Sequence, residues 1–189
     1  MRLFFAVPLS PVLRGEAVRA AETLRAGMPG KGVTWSRPET MHVTLAFLGD
    51  VNEAYLPEVE AAGRDAAAMA PFELRLGSMG RFPERGPVRV LWVGFQTGAE
   101  ELAELHGRLR RALAVRGMEL EARSFSAHVT LGRVRTGMRV PWPAVPQAGT
   151  SGSCQRVEDF HLMQSELAAA GARHRSRVAF PLTRDSRVR

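Results

Sequence analysis

The stretch of sequence that decides the fold occurs twice, as HVTL at residues 42–45 and again as HVTL at residues 128–131. Each copy lies at the centre of a run of strand-forming residues. Side chains of a β-strand alternate between the two faces of its sheet. The histidine and threonine of each copy therefore share one face, and the valine and leucine share the other. The repeat predicts two related strands, each with one polar and one apolar face.

A pseudo-twofold relation between the two halves of the chain would bring the polar faces together. We expect these faces to oppose each other across a groove, where His42 and His128 flank one substrate atom and Thr44 and Thr130 lie beside them. Histidine titrates near neutral pH, so one imidazole can deprotonate water while the other protonates a leaving ribose oxygen. Threonine hydroxyls can donate hydrogen bonds to non-bridging phosphate oxygens. This pattern predicts phosphoryl chemistry by general acid–base catalysis without a metal.

Arg133 follows the second copy and is a candidate phosphate ligand. Strand alternation places it on the opposite face from His128 and Thr130, so it reaches the groove only if a twist or bulge intervenes. Two other interpretations of the repeat stay open. A histidine on a strand is often a satisfied polar core residue, and threonine is a good strand former. Two histidines can also belong to a metal site, although no Asp, Glu or Cys stands nearby at a recognised ligand spacing.

The composition describes a compact protein with an excess of positive charge. The chain has 189 residues, of which 45% are hydrophobic. This is enough for a substantial core, and it excludes a disordered chain. The 26 basic residues exceed the 19 acidic residues by seven, and Lys31 is the only lysine. Arginine offers a planar fork of donors that matches phosphate oxygens, but an arginine-rich composition can equally reflect the source genome. Charge alone does not choose between these explanations.

The sequence also bounds the compartment in which we expect the protein. Cys154 is the only cysteine, so we expect neither an internal disulfide nor a cysteine-based zinc cluster, which suits a reducing cytoplasm. The apolar run at residues 1–7 is too short for a signal peptide or a membrane span. We expect a cytoplasmic monomer with no membrane association and no obligatory protein partner.

Apolar periodicity and turn residues predict alternating strands and helices. A first helix should begin at Ser10–Pro11 and end at Gly27, and a second should span 57–69. A third should span 98–116, with Thr97 and Glu100 at capping-box spacing. Strands are predicted at residues 3–7, 33–35, 42–49, 88–95, 128–134, 157–164 and 178–182. This alternation is typical of an α+β or mixed α/β fold.

Three further segments complete this prediction. The segment FELRLGSMGRF at 72–82 is predicted to be an alternating strand followed by a glycine-rich loop that holds Arg81 and Arg85. Residues 141–153 are rich in proline, glycine and serine, which predicts a long exposed loop. A turn is expected at 170–171, and a frayed tail is expected from Thr183.

The duplicated motif and its surroundings resemble a known family, the 2H phosphoesterases. The context RPETMHVTLAFLGDV at 37–51 is similar to the LigT-like RNA 2′,3′-cyclic phosphodiesterases, historically named 2′-5′ RNA ligases. Further similarity lies in MRLFFAVPL at 1–9, in PFELRLGSMGRFP at 71–83 and in TLGR at 130–133. The resemblance implies a bilobal α+β fold with two pseudo-twofold-related lobes of antiparallel sheet, outer helices and a central cleft.

That resemblance implies a single domain over residues 1–189, divided between the two motifs. The half with the first motif would span about 30–97 and the half with the second about 98–165, with the terminal segments packed across the lobes. Two positions depart from the family pattern. Ser126-Ala127 precedes the second histidine where a proline is common, and His174 stands where relatives often have an aromatic residue near the last hairpin.

The resemblance also implies an activity. Family members hydrolyse a terminal 2′,3′-cyclic phosphate on RNA to a 2′-phosphomonoester and require no metal or nucleotide cofactor. By position, His42 would donate a proton to the leaving 3′-oxygen, and His128 would accept a proton from water. Thr44 and Thr130 would hold the phosphate, and Arg133 matches the arginine that follows the second motif. The same site could run the 2′-5′ joining reaction weakly.

Two alternative functions remain open at this point. The first is a non-catalytic RNA-binding module that retains the fold and its positive charge, although binding alone does not need paired titrating residues. The second is a phosphodiesterase that acts on small cyclic nucleotides rather than on RNA. The length of the preferred substrate would distinguish the second alternative from the RNA enzyme.

The remaining histidines, aromatic residues and arginines carry separate expectations. His106 is predicted to be a surface residue of the third helix, and His161 could face either side of its strand. His174 belongs either to a solvated hairpin or to an RNA contact. Trp35, Phe47 and Trp92 could stack on a base, although aromatic residues on strands usually belong to the core. The arginines expected to border the groove are Arg133, Arg81, Arg85 and the cluster from Arg173 to Arg177.

Overall fold

The computed structural model describes residues 1–28, 31–120, 124–142, 152–168 and 171–183. The helices in these ranges are α1 (Pro11–Ala26), α2 (Leu56–Ala66) and α3 (Ala99–Ala114). The strands are β1 (Arg2–Pro8), β2 (Val33–Trp35), β3 (His42–Asp50), β4 (Phe72–Phe82), β5 (Val90–Thr97), β6 (Val129–Val134), β7 (Gln155–Val157), β8 (Asp159–Ala168) and β9 (Gly171–Pro181). None of the described helices combines the length and apolar character that a bilayer span requires.

The described strands form one antiparallel sheet in the order β7-β4-β5-β6-β3-β1-β8-β9, with β2 beside β6. A four-stranded half carries the first motif in β3, and the other half carries the second motif in β6. The two halves meet where β3 pairs with β6, and the register at this junction contains the single pair Val43–Val129. The α+β fold with two halves of antiparallel sheet is therefore confirmed.

The strand order divides the sheet differently from the division that the family resemblance implied, with one half over about 30–97 and the other over about 98–165. β4 and β5 pair with each other and join the half that carries the second motif, because β5 pairs with β6. β8 and β9 join the half that carries the first motif, because β8 pairs with β1. The connection through α2 takes the chain from one half to the other, so consecutive strands β3 and β4 are not neighbours.

The helices cover the apolar face of the sheet. Four leucines of α3, predicted from their spacing, are fully buried: Leu102, Leu105, Leu109 and Leu113. The buried stripe of α1 is Leu13, Ala17, Ala21 and Leu24. Val43 and Val129 are also fully buried. Burial of a leucine or valine side chain contributes about 1.5–3 kcal/mol. Because the helices lie against the apolar face, the opposite face of the two motif strands is left open.

The N-terminus of α3 differs from the predicted capping box. The N-cap residue is Gly98 with φ at 88°, and no side chain caps the helix there. Thr97 is instead the last residue of β5, where it pairs with Arg75 of β4. A Cβ on Gly98 would overlap the carbonyl oxygen of Glu73 and the Leu74 side chain. Close contact with β4 and a left-handed backbone together require glycine at this position.

The glycine-rich segment predicted as a loop lies instead inside β4, which continues to Phe82. Gly80 lies against the indole of Trp92, and a Cβ at this position would overlap the ring. Glycine therefore allows β5 to approach closely rather than ending the strand. α2 ends three residues earlier than predicted. Most of the loop predicted at 141–153, part of the turn at 170–171 and the tail beyond Thr183 lie outside the described residues.

Gly98→Ala is expected to lower the free energy of unfolding by about 2–5 kcal/mol. Alanine in the left-handed region costs about 1–2 kcal/mol, and displacing packed neighbours adds about 1–3 kcal/mol. Gly107→Ala is the matched control, since this glycine lies inside α3 and a Cβ there would meet only the end of the Arg111 side chain. That control should raise the free energy of unfolding by about 0.5–1 kcal/mol. Urea unfolding measures both, and equal effects of the two substitutions would contradict this account.

Candidate active site

The two motifs lie side by side on one continuous sheet. Antiparallel pairing at Val43–Val129 places His42 next to Thr130 and His128 next to Thr44. Because both valines point into the core, all four polar side chains project from the opposite face. The sequence predicted that these faces would oppose each other across a groove. They are instead adjacent, since the strands that carry them are direct neighbours.

A polar cleft of about 180 Å³ lies beside these residues. Its lining side chains are Ser36, Thr40, His42, Thr44, Thr130, Arg133 and His174. His128 is not among them, but it lies near enough to His42 for its charge to lower the pKa of that ring. No three His, Cys, Asp or Glu side chains of the described ranges are grouped so that they could hold a metal ion. The cleft offers hydroxyl, imidazole and guanidinium groups.

Backbone carbonyls fix the orientation of both motif histidines in the same way. Nδ1 of His42 donates to the Thr40 carbonyl oxygen at 2.8 Å, and Nδ1 of His128 donates to the Ser126 carbonyl oxygen at 2.7 Å. A carbonyl oxygen only accepts, so each Nδ1 carries a proton and each Nε2 is left for chemistry. Nε2 of His42 lies 3.1 Å from Oγ1 of Thr44. The residue pair Ser126-Ala127, which departs from the family pattern, still supplies the carbonyl that orients His128.

Aromatic rings support each motif histidine. Phe4 lies 4.9 Å from the ring of His42, measured between centroids, and His174 lies edge-on to the same ring at 5.2 Å. Phe82 contacts His128 edge-on at 5.1 Å, and Trp92 lies 6.2 Å away. These contacts limit the rotation of the imidazoles and exclude water from their sides.

Burial and neighbouring positive groups disfavour protonation of the three histidines at the cleft. Burial lowers the pKa of His42 to about 4, helped by repulsion from His174 and His128 and opposed by the hydrogen bond to Thr40. Burial and the charge of Arg133 lower the pKa of His128, against the effect of its bond to Ser126. Burial and the charge of Arg37 lower the pKa of His174. An anion in the cleft would oppose these effects and raise the pKa values.

A β-bulge occurs at the leucine of each motif. β3 pairs Thr44 with Ala6 and then Ala46 with Phe5, which leaves Leu45 extra. β6 pairs Thr130 with Trp92 and then Gly132 with Leu91, which leaves Leu131 extra.

Each bulge changes which side chain returns to the open face. It brings the residue five positions after each histidine to the face of the histidine and threonine. These residues are Phe47 and Arg133, both exposed. The second bulge is the irregularity that Arg133 required in order to line the cleft.

Phe47 is the most accessible aromatic ring of the three proposed as base platforms. Its side chain is 52% exposed, and the Arg2 guanidinium lies over it, 5.3 Å from the ring centroid. Trp35 packs against the hydrophobic core. Trp92 packs against Phe82 and His128. Only Phe47 therefore combines an exposed ring with a place on the open face.

The other histidines fall in three different environments. His106 is half-buried, contrary to prediction: Nδ1 donates to the Leu45 carbonyl oxygen at 2.7 Å, and the ring stacks on Phe125. It therefore supports the bulged residue of the first motif from α3. His161 contacts the Ser176 hydroxyl and the Asp159 carboxylate and does not line the cleft. His174 lines the cleft. The sequence had not decided between a solvated hairpin and an RNA contact for this residue.

Among the residues that the structure describes, Arg133 is the arginine that lines the cleft. Arg81 donates to the carbonyl oxygens of Glu84 and Gly86, where it stabilises its own turn. Arg177 donates to the side chain of Gln164. The neighbours of His174 in β9, Arg173 and Arg175, alternate to the opposite face. Of the arginines predicted to border the groove, Arg133 lines the cleft, and the others are not among its lining residues: Arg81, Arg85, Arg173, Arg175 and Arg177.

Sequence reasoning missed the cleft residues that precede the first motif. Ser36 and Thr40 line the cleft, and Arg37 acts electrostatically on His174. All three lie in or next to the segment RPET at 37–40, which carried the family resemblance without an assigned role. The signal was therefore present, but only the fold shows that this segment packs beside β9.

The His42 ring should remain neutral in the free protein until about pH 4. The unfolded chain binds this proton first as the pH falls, so the contribution of His42 to stability is complete above pH ~6.5 and is lost between pH ~6.5 and 4. An NMR titration of the imidazole signals measures the midpoint, with the urea-unfolded chain as reference. A midpoint near that of the unfolded chain would contradict the role of burial and repulsion.

Comparisons with known proteins identify relatives of this chain. A family model described as LigT-like phosphoesterase matches residues 7–92. A protein of Archaeoglobus fulgidus named RNA 2′,3′-cyclic phosphodiesterase is 32% identical over 189 residues, covering 100% of this chain and 99% of the relative. A Geobacillus stearothermophilus protein of the same name is 37% identical over 131 residues, which are 69% of this chain and 41% of that protein.

Solved structures agree as well. The crystal structure of TT0787 of Thermus thermophilus superposes with a TM-score of 0.80 at 34% identity, covering 96% of this chain and 98% of that chain. E. coli LigT complexed with 3′-AMP superposes with a TM-score of 0.71 at 27% identity, covering 97% and 98%. This chain therefore belongs to the LigT-like phosphoesterase family, within the 2H phosphoesterases.

Proposed function

We propose that this chain hydrolyses the terminal 2′,3′-cyclic phosphate of RNA to a 2′-phosphomonoester by general acid–base catalysis. The observation that carries the proposal is the pairing at Val43–Val129, which groups two histidines and two threonines on one open face. The names of relatives that share the whole length of the chain favour the same substrate. A module that only binds RNA would not need two imidazoles oriented through Nδ1.

The two imidazoles lie at diagonal corners of a four-residue group, and the two threonines occupy the other diagonal. By strand geometry the diagonal is roughly 8 Å between Cα atoms, so a phosphate fits between the side chains. In-line displacement needs the attacking and leaving oxygens on opposite sides of phosphorus. A diagonal pair of imidazoles meets that requirement.

The two imidazoles account for both proton transfers of the reaction. Nε2 of His128 accepts a proton from water as the water oxygen bonds to phosphorus. The bond from phosphorus to the 3′-oxygen breaks, and Nε2 of His42 donates its proton to that oxygen. The hydroxyls of Thr44 and Thr130 and the guanidinium of Arg133 stabilise the charge on the non-bridging oxygens. An RNA 5′-hydroxyl in place of water would give 2′-5′ joining.

Substrate binding allows His42 to take up the proton that it later donates. Its pKa of about 4 in the empty cleft leaves the ring neutral near pH 7. The negative charge of the bound phosphate favours the protonated imidazole and raises this pKa. The hydroxyl of Thr44, which contacts Nε2 of His42 in the free protein, can then turn to the phosphate. Protonation is thereby coupled to occupation of the site.

The exposed ring of Phe47 provides a platform for the terminal base. It lies on the same face as the catalytic group, and its partner in β1 is Phe4, which contacts His42. Arg2 over the ring adds positive charge beside a stacked base. Stacking tolerates different bases because each base has a π-face.

Hydrolysis of a cyclic-phosphate oligonucleotide should proceed in EDTA and yield the 2′-phosphomonoester. His42→Ala and His128→Ala should each lower kcat/KM by roughly 10²- to 10⁴-fold, the usual contribution of a general acid or base. His161→Ala is the matched control, because that histidine lies outside the cleft and should retain activity. Loss of activity in EDTA, or full activity in both motif variants, would contradict the mechanism. Salt-sensitive binding without turnover would favour the RNA-binding module.

Phe47→Ala should raise KM by roughly 5- to 150-fold with a smaller change in kcat, since stacking on an aromatic ring contributes about 1–3 kcal/mol per base. Phe47→Trp should retain most of the affinity. Tyr55→Ala is the control, because Tyr55 is 55% exposed but lies outside the cleft. An unchanged KM in Phe47→Ala would contradict the role of Phe47 as a platform.

A comparison of oligonucleotides with cyclic mononucleotides in the same assay distinguishes RNA from small cyclic substrates.

A further inference from the structure

His174 is a third imidazole in the cleft, contributed by a strand far from both motifs. It lies in β9 opposite Ser165 of β8, and its ring extends to Phe4 of β1, 5.1 Å away and edge-on. The ring of His42 lies on its other side at 5.2 Å, with the two planes at 88°. His174 therefore packs directly against the proposed acid and lines the same cleft as both motif threonines.

One ring nitrogen of His174 has no partner. Nδ1 is buried and makes no hydrogen bond to any part of the chain that the structure describes. An unsatisfied buried polar atom costs about 1–3 kcal/mol, and such groups in native proteins usually serve a ligand, a water or a function. The ring lies in a polar cleft next to two threonine hydroxyls and Arg133, which is where the proposed phosphate binds. Because the ring lines the cleft, a rotation about its Cβ–Cγ bond would turn this nitrogen toward a phosphate oxygen or toward a water that bridges to one.

Arg37 is the charged group that acts on His174, from the segment before the short helical turn Pro38–Thr40. The ring of His42 faces His174 from β3 and is neutral near pH 7. Glu39 of that turn is exposed, while Phe4 of β1 and Ser165 of β8 carry no charge. None of the seven side chains that line the cleft is acidic. Burial and the charge of Arg37 therefore oppose protonation of His174, and a bound anion would favour it.

We propose that His174 is a phosphate-binding residue that takes up a proton when the substrate or product enters the cleft and then donates a hydrogen bond to a phosphate oxygen. The proposal rests on the proposed function of the cleft and adds a group that the two motifs do not contain. Protonated His174 contributes a charged donor where phosphate carries negative charge. Because the 2′-phosphomonoester carries more charge than the cyclic diester, the product gains more from this donor than the substrate.

The proton uptake has a consequence for turnover. Binding of the product should strengthen as the pH falls, since the anion and the proton bind together. Product release would then slow at low pH, even where the chemistry is not limiting. Replacement of His174 by a residue that does not titrate should weaken this dependence while leaving the motif histidines in place.

Sulfate is a suitable probe, because it remains a dianion across the pH range in which histidine titrates. Calorimetric titration of the full chain with sulfate, in buffers of different ionisation enthalpy, gives both affinity and the number of protons taken up. His174→Phe retains an aromatic ring, and His174→Gln retains a polar donor that does not titrate. His161→Gln is the matched control, since that histidine lies on the neighbouring strand β8 and outside the cleft.

Both His174 variants should take up about one proton fewer per sulfate than the wild type. Their sulfate affinity near pH 6 should fall by roughly 10-fold or more, the usual effect of losing a charged hydrogen bond. The control should match the wild type in both quantities. Unchanged proton uptake in the two variants, or no sulfate binding by the wild type, would overturn the inference.

Hydrolysis of the cyclic-phosphate oligonucleotide by the same preparations separates the two proposals. If the wild type hydrolyses RNA and the variants take up as many protons as it does, the role of His174 is wrong and the proposed function stands. If the wild type does not hydrolyse RNA but the variants take up about one proton fewer per sulfate, the cleft binds phosphate and the proposed function is wrong.

Discussion

The antiparallel pair Val43–Val129 is the constraint on which the rest of the structure depends. Both valines must be buried under the helices, and a strand that buries one face exposes the other. The two motifs are therefore held in one register, with their histidines and threonines on the open face. A slip of one residue would turn the valines outward and the histidines into the core, at a cost of several kcal/mol. Core packing thus fixes the geometry of the candidate site.

The same constraint explains how a site with positive charge can perform proton transfer. Carbonyls of Thr40 and Ser126 hold the two Nδ1 atoms, and aromatic rings cover the sides of the imidazoles. Burial lowers the pKa of both rings, helped at His42 by repulsion from His174 and His128 and at His128 by the charge of Arg133. In the proposed mechanism the bound phosphate is the counter-charge that restores protonation, and the reactive state forms only when phosphate occupies the cleft. Of the arginines in the described ranges, Arg133 alone lines this cleft, so most of them contribute little to it.

Local pattern predicted much of the fold and the centre of the site. The polar and apolar faces of the HVTL strands, the buried leucines of α3 and the start of α1 follow from periods of two and 3.6 residues. The place of Arg133 required a bulge, which sequence could name as a condition but not locate. Strand order escaped prediction because pairing between distant segments depends on side-chain packing across the sheet.

His106 and His174 show the same limit at the level of single residues. The helix periodicity around His106 gave no indication that the bulged Leu45 carbonyl lies within hydrogen-bonding distance of its ring. His174 stands among arginines, which left both a solvated hairpin and an RNA contact open. Alternation in β9 sends His174 to the opposite face from Arg173 and Arg175. Both roles depend on partners far away in the chain, and only the folded structure brings these partners together.

The central claim is that the two motifs act together on one phosphate. It is tested most directly by titrating the protein with 2′-AMP while the imidazole signals of His42 and His128 are followed by NMR. The account predicts that both signals shift with one common midpoint and saturate at one nucleotide per chain. A shift of only one histidine, or two separate midpoints, would contradict it.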